Sequence, residues 1–280
     1  MKIENVKIVV DSSADMTELS GVPFEVAPLK IVTAQQEYVD DAALDVCGMV
    51  NDLQGYKGRS STSCPNPEDW LRAFGDAEWV FCVTITATLS GSYNAATVAK
   101  AQYEEAHPER RVFVFNSLTA GPEIALMIDK LRELILADKE FDEISEGVTA
   151  YAQSTGLLFM LESMKNLANN GRVSPLVAKM AGILGIRAVG KASDKGDLQP
   201  LNKCRGERKA LEAITGHAKA LGFRGGRMRI AHCFNEGAAT TLRDLILKEF
   251  PKAQVLLYPC RGLCSFYAER GGLLVGFEKM

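Results

Sequence analysis

Short apolar runs alternate along this chain with longer stretches of helical period, and each run passes through polar residues before the next helix begins. That alternation is the signature of an α/β architecture, in which helices cover the faces of a sheet. Val6 to Val10, Trp79 to Ile85 and Arg111 to Phe115 are the predicted strands of the first half. Asn66 can cap a helix beginning at Pro67, because its amide oxygen accepts from an orphan N–H and proline needs no partner at the first position. Trp70 and Phe74, one turn apart, then share the buried face of that helix. From Pro122 to Leu136 the residues Ile124, Met127, Ile128, Leu131, Leu134 and Ile135 form one apolar stripe. A further helix is expected over Glu143 to Gln153.

The second half opens with a strand-like run, Gly156 to Leu161. It continues with a helix around Leu176 to Leu184, a strand near Arg187 to Gly190 and a turn at Asp194 to Asp197. A helix over Arg208 to Leu221 follows, then strands at Met228 to Cys233 and Gln254 to Tyr258 with a helix between them, and a last strand at Leu273 to Phe277. A chain of 280 residues is long for one core. Two domains are expected, an N-terminal α/β domain over 1–155 and a C-terminal α+β domain over 156–280. No internal repeat or low-complexity segment is present.

Composition narrows the function. With 32 Lys and Arg against 35 Asp and Glu, the net charge of -3 offers no concentrated basic face for nucleic acid or an anionic membrane. No apolar run approaches the roughly 18 residues of a transmembrane helix, so no stable membrane insertion is expected. The first residues carry no apolar signal segment. Seven cysteines without a scaffold spacing favour a reduced, cytoplasmic setting.

Three loops concentrate small hydroxyls at corresponding places. Ser12 and Ser13 follow the first strand, Thr62 and Ser63 precede the Pro67 helix, and Ser90 and Ser92 follow the Trp79 strand. In open α/β sheets ligands sit beyond the carboxyl ends of the strands, where hydroxyls and helix-end N–H groups can hold an oxyanion. Capping and turn formation are the commoner jobs of such residues, and both readings stand.

Other constellations are weak. A serine hydrolase needs a nucleophile elbow and a base, but the segment here is Leu89-Ser90-Gly91-Ser92, and His107, His217 and His232 are scattered. No Walker loop or G-x-G-x-x-G occurs. His232 and Cys233 with Cys260 and Cys264 lack a paired zinc spacing, so buried thiols account for them better. Asp40, Asp41 and Asp45 can hold a cation, although an acidic turn or a helix cap is the simpler account. Neither a cofactor nor a metal is expected.

Five segments, in order, resemble the DegV family. Val10-Asp11-Ser12-Ser13-Ala14-Asp15 is similar to its strand and D-S-x-x-D opening, and Thr62-Ser63-Cys64-Pro65 to its T-S-Q-P segment. Leu89-Ser90-Gly91-Ser92-Tyr93 resembles L-S-G-T-Y. Gly171-Arg172-Val173-Ser174 with Gly185-Ile186-Arg187 resembles G-R-I-S and N-I-K-P, and Arg205-Gly206-Glu207-Arg208-Lys209-Ala210 resembles R-G-R-K-K-A.

The resemblance implies two domains, the first with a Rossmann-like parallel sheet and helices on both faces. It further implies a long-chain fatty acid held between the domains and no catalysis by the chain itself. By motif, Thr62 and Ser90 would bind the carboxylate, with Ser63, Ser12 and Ser92 beside them, and Arg172 and Arg205 would lie at the portal or face a partner. Some members carry the acyl chain for a bacterial fatty-acid kinase, whose separate catalytic protein phosphorylates the bound acid. Two departures stand out. Tyr267 takes the place of a histidine in the family's A-H-T-G-P-G segment, and Cys64 replaces the glutamine of T-S-Q-P.

Burying a dozen methylenes at about 0.8 kcal/mol each would offer on the order of 10 kcal/mol before ordering costs. An unpaired buried carboxylate would cancel several kcal/mol of this, so the hydroxyls are what make the tail's contribution usable. The alternative from another class is a phosphotransferase or hydrolase acting on a small phosphorylated or carboxylated substrate at the same strand ends, with Asp11 or Asp41 holding a divalent metal.

Overall fold

The computed structural model describes residues 3–174, 177 and 185–279. The helix expected around Leu176 to Leu184 therefore lies outside the described residues, apart from Val177. The first half runs β1 (Val6–Asp11), β2 (Phe24–Ala27), β3 (Lys30–Val32), β4 (Glu37–Val39), α1 (Val46–Gly55), β5 (Ser61–Ser63), α2 (Pro67–Phe74), β6 (Trp79–Thr84), α3 (Ser92–Ala106), β7 (Arg111–Asn116), α4 (Pro122–Leu136) and α5 (Phe141–Gln153). The second half runs β8 (Thr155–Leu161), α6 (Lys165–Asn169), β9 (Ile186–Ala192), β10 (Leu198–Arg205), α7 (Glu207–Ala220), β11 (Arg227–His232), α8 (Glu236–Glu249), β12 (Gln254–Pro259), α9 (Gly262–Ala268) and β13 (Leu273–Glu278).

The first half is built on a parallel sheet of order β2-β1-β6-β7. Because successive strand residues face opposite sides, β1 sends Ile8 and Val10 to one layer and Val9 to the other. Ile8 and Val10 pack with Phe81 of β6 and with Ile124, Met127, Phe141 and Val148 of α4 and α5. Val9 packs with Trp70, Phe74, Ala96 and Tyr103 of the α2 and α3 layer. Asn66 caps α2 as expected, in a reciprocal capping box with Asp69.

The sequence reading missed a small antiparallel sheet of order β4-β3-β5. It places Thr62 opposite Ile31, so Thr62 and Ser63 belong to a strand and not to a loop.

The second half carries a mixed sheet of order β10-β9-β8-β13-β11-β12, antiparallel except for β11 with β12. Leu158 and Met160 of β8 face α7 and α8. Phe159 and Leu161 face the other way, toward α6 and α9 and into a cavity shared with Leu29, Ile85 and Ala120 of the first half. This explains why Gly156 to Leu161 is apolar throughout instead of alternating, since both of its faces are covered.

Helix α4 joins the two sheets. All residues from Pro122 to Ile128 are buried, because the helix packs on β1 and β6 with one side and on β8, β11 and β13 with the other. A Cβ on Gly276 of β13 would stand 2.5 Å from Glu123 N, so only glycine permits so close an approach. No described helix is long and apolar enough to cross a membrane.

Candidate functional site: an apolar channel with a polar mouth

A channel runs between the two sheets. Its walls are Leu157, Phe159 and Leu161 of β8, Leu274 of β13, Leu198 of β10, and Leu29, Ile85, Leu89 and Ala120 from loops of the first half. Helix α9 adds Leu263, Cys264, Tyr267 and Ala268, and α6 adds Leu167. Polar groups are few and specific: Thr62, Ser90, Arg172 and Tyr267. The open volume is about 80 Å³, so a guest of many methylenes has to part these side chains and touch them along its length. A larger, polar cleft of about 420 Å³ opens beside α1 and α6, lined by Glu162, Lys165, Arg187, Glu269 and Arg270 among others. Its charged walls suit water better than an acyl chain.

The polar groups of the channel are drawn together from distant elements. Thr62 Oγ1 and the Tyr267 hydroxyl share a hydrogen bond of 2.7 Å. Burial pushes the Tyr267 phenol above its ordinary range, against the opposing pull of Thr62 and of the nearby Arg172 charge. Arg172 Nε donates to the Leu89 carbonyl at 3.2 Å, and its guanidinium also reaches the Asn170 carbonyl. Ser90 Oγ accepts from Ser92 N at 3.3 Å, which leaves its own proton available. A tyrosine where the family has a histidine therefore does not empty this mouth of positive charge, since Arg172 supplies it.

The other hydroxyls have different work. Ser92 is fully buried and donates to Asp11 Oδ2 at 2.6 Å. Ile85 N donates to the same oxygen at 2.9 Å, while Ser13 donates to Oδ1 from both its N and its Oγ. Asp11 thereby ties the end of β1 to the end of β6 and the start of α3. Ser12 Oγ accepts from Leu29 N at 3.0 Å. Ser63 points outward and is exposed, as strand alternation requires next to an inward Thr62. Arg205 is exposed at the end of β10. None of Ser12, Ser63, Ser92 and Arg205 lines the channel.

The acidic run is also accounted for locally. Asp45 caps α1 through Gly48 N, and Asp41 accepts from Ala43 N. Asp40 is buried and accepts from Gly262 N and Leu263 N at 2.8 Å each. Among the described residues no group of three or more His, Cys, Asp or Glu is arranged to hold a metal ion. Cys233, Cys260 and Cys264 are buried free thiols. His232 stands at the end of β11, and burial lowers its pKa.

This arrangement can hold an amphiphile by its head at Thr62, Ser90, Tyr267 and Arg172 and by its tail along the leucines. Known proteins with the same fold carry such guests. A structure of a DegV family protein from Eubacterium eligens loaded with heptadecanoic acid is 42% identical, with a TM-score of 0.96 over 98% of this chain and 100% of that one. The Streptococcus pneumoniae fatty acid kinase B3 protein loaded with linoleic acid is 43% identical, also with a TM-score of 0.96, over 98% of this chain and 99% of that one. A DegV domain-containing protein of Streptococcus pneumoniae strain R6 is 44% identical over 276 residues, 97% of this chain and 98% of its own length. The family model described as an uncharacterised protein of the DegV family matches residues 5–279. From its first strand to its last, the chain belongs to the DegV family.

Proposed function

We propose that this chain binds one long-chain fatty acid, with the carboxylate at Thr62, Ser90, Tyr267 and Arg172 and the tail in the leucine-lined channel. The observation that carries the reading is one cavity whose few polar side chains cluster together against an otherwise apolar wall. A carboxylate accepts from hydroxyls and a guanidinium without needing a proton donor of its own. The chain works as two domains, 1–155 and 156–280, that enclose the guest between them. Ser12 and Ser92 act from behind the mouth, by bracing its loops.

The chain carries the acid without transforming it. Among the described residues, the channel lining holds no histidine and no carboxylate to serve as a base. Its role is to present the acyl head to a separate fatty-acid kinase subunit, for which the exposed Arg205 is a contact. All seven cysteines are free thiols, which suits the cytoplasm.

Native mass spectrometry followed by lipid extraction tests the proposal. The expected result is one fatty acid per chain, lost from a Thr62→Val, Ser90→Ala double variant that remains folded. A wild-type protein that carries no acid and takes up none when it is offered would sink the binding role.

A further inference from the structure

Helix α9 supplies four channel residues, yet its start is held by the other half of the molecule. Three consecutive backbone N–H groups there are received by two buried carboxylates. Arg261 N donates to Asp15 Oδ1 at 2.7 Å, Gly262 N to Asp40 Oδ1 at 2.8 Å and Leu263 N to Asp40 Oδ2 at 2.8 Å. Asp40 is 1% exposed and Asp15 is 7% exposed, so neither is held by solvent. A Cβ on Gly262 would lie 2.6 Å from Asp40 Oδ1 and from Leu44 Cδ2, which fixes glycine at that contact.

The same small sheet holds the helix at its other end. Asp40 directly follows β4, and Asp40 N donates to the Leu29 carbonyl. Thr62 lies on β5 of that sheet and meets Tyr267 near the end of the helix. Ser12 braces the arrangement by accepting from Leu29 N. Helix α9 is thus clamped at two points along its length, with the Tyr267 hydroxyl at the second.

We propose that Asp40 and Asp15 are positioning residues of the head-group site: acting through helix α9, they hold the Tyr267 hydroxyl against Thr62 at the mouth of the channel. This rests on the fatty-acid reading above. Neither carboxylate lines the channel, so their effect reaches the guest only through the placement of the helix. Releasing these N–H groups lets the helix start drift, and the hydroxyl pair at the mouth loses its register, while the walls that β8 and β13 supply, Leu157, Phe159, Leu161 and Leu274, stay in place.

The test compares affinity for a long-chain fatty acid with affinity for the alcohol of the same chain length, by displacement of a fluorescent fatty acid. Asp40→Asn keeps one acceptor of two, and Asp15→Asn keeps the one that Arg261 N uses. The expected result is a roughly tenfold loss of acid-over-alcohol preference in Asp40→Asn and Asp15→Ala, with Asp15→Asn close to wild type and alcohol affinity held throughout. Acid and alcohol affinities falling together would reduce both residues to general structural support and overturn the proposal. So would an unchanged preference in both variants.

If Asp40→Asn does not fold, the Asp15→Ala and Asp15→Asn pair decides alone. A wild-type protein that shows no preference for the acid would instead refute the fatty-acid reading, so the two failures are told apart.

Discussion

Thr62 Oγ1 and the Tyr267 hydroxyl lie 2.7 Å apart although 205 residues separate them. One belongs to a three-residue strand of the first half and the other to a seven-residue helix of the second. Their pairing makes the polar mouth a property of how the halves meet.

Removing either hydroxyl should therefore weaken head-group binding without emptying the channel. Tyr267→Phe keeps the ring, whose centroid lies 4.9 Å from that of Phe266, and deletes only the hydroxyl. We expect acid affinity to fall roughly tenfold and alcohol affinity to stay within about twofold, since a hydrogen bond to a charged group contributes about 1.5–3 kcal/mol. Fluorescent displacement with both ligands checks this. A loss of equal size for both would show that the hydroxyl supports the shape of the channel and does not discriminate the head group.

Asp11 makes a different prediction, about stability. It accepts from Ile85 N, Ser92 Oγ, and Ser13 N and Oγ, all buried. Burial raises its pKa even so, outweighing what these donors return. Asp11→Ala strands several buried donors at about 1–3 kcal/mol each, so we expect about 3 kcal/mol or more of lost stability in urea unfolding. Ser92→Ala should cost less, because Ile85 N and the Ser13 groups still satisfy the carboxylate.

These residues show what the sequence made legible. The period of the apolar stripe gave α4 as Pro122–Leu136, the bounds it has in the fold. The strands at Val6, Trp79 and Arg111 were equally readable, because each is a run of six with its flanking polar turn. Strands β3, β4 and β5 have three residues each and leave no period to detect. Serines near a buried strand end are ambiguous by nature, since one hydroxyl serves a ligand or a neighbouring carboxylate equally well. A usable signal lay in Asp11: an acid closing an apolar strand needs donors, and Ser13, two residues on, is one, while Ser92 lies 81 residues away and only the fold brings it there. Asp40 left no signal of its partner, because the helix it caps lies 222 residues away. Arg172 is expected at the portal from the family motif alone, and its contact with the Leu89 carbonyl depends on where the loop after α6 meets the first half.

Asp15 gives a pH dependence with a definite sign. Burial first, and the neighbouring Asp40 charge, push its carboxyl up to about 7, against the Arg261 N–H, the Arg261 charge and the Cys264 thiol. Cys233, Tyr258 and Cys260 also face it, each raised chiefly by its own burial. The folded chain thus holds this proton more tightly than the unfolded chain, where an aspartate titrates near ~3.9. Its contribution to stability is complete below about pH 4 and is lost as the pH rises through about 7. Asp15→Asn removes the titration and keeps the acceptor for Arg261 N. The variant should gain on wild type between pH 4 and 7, by an amount on the order of a few kcal/mol, and the gap should then stay level. Urea unfolding of both proteins at pH 5 and pH 8.5 measures it, and a gap independent of pH would refute the assignment.

The channel wall sets which guests fit. Leu198 of β10 and Leu157 of β8 line it from different strands of one sheet. The channel is narrow, so added volume cannot be absorbed by empty space and must displace the guest. Leu198→Trp adds a large side chain at a half-buried position, where its excess volume can turn partly outward and leave the fold intact. Each methylene that no longer fits forfeits about 0.8 kcal/mol of transfer free energy. A guest shortened by two carbons then loses only what those carbons contributed, whereas the full-length acid also strains the wall. We expect the variant to prefer shorter acids than wild type does, with head-group discrimination unchanged because Thr62, Ser90, Tyr267 and Arg172 are untouched. Lipid extraction from purified wild type and variant reads this as a shift in the chain-length distribution. An identical distribution in the two would mean that the tail does not pass Leu198, and would place its path along Leu157 and Leu274 instead.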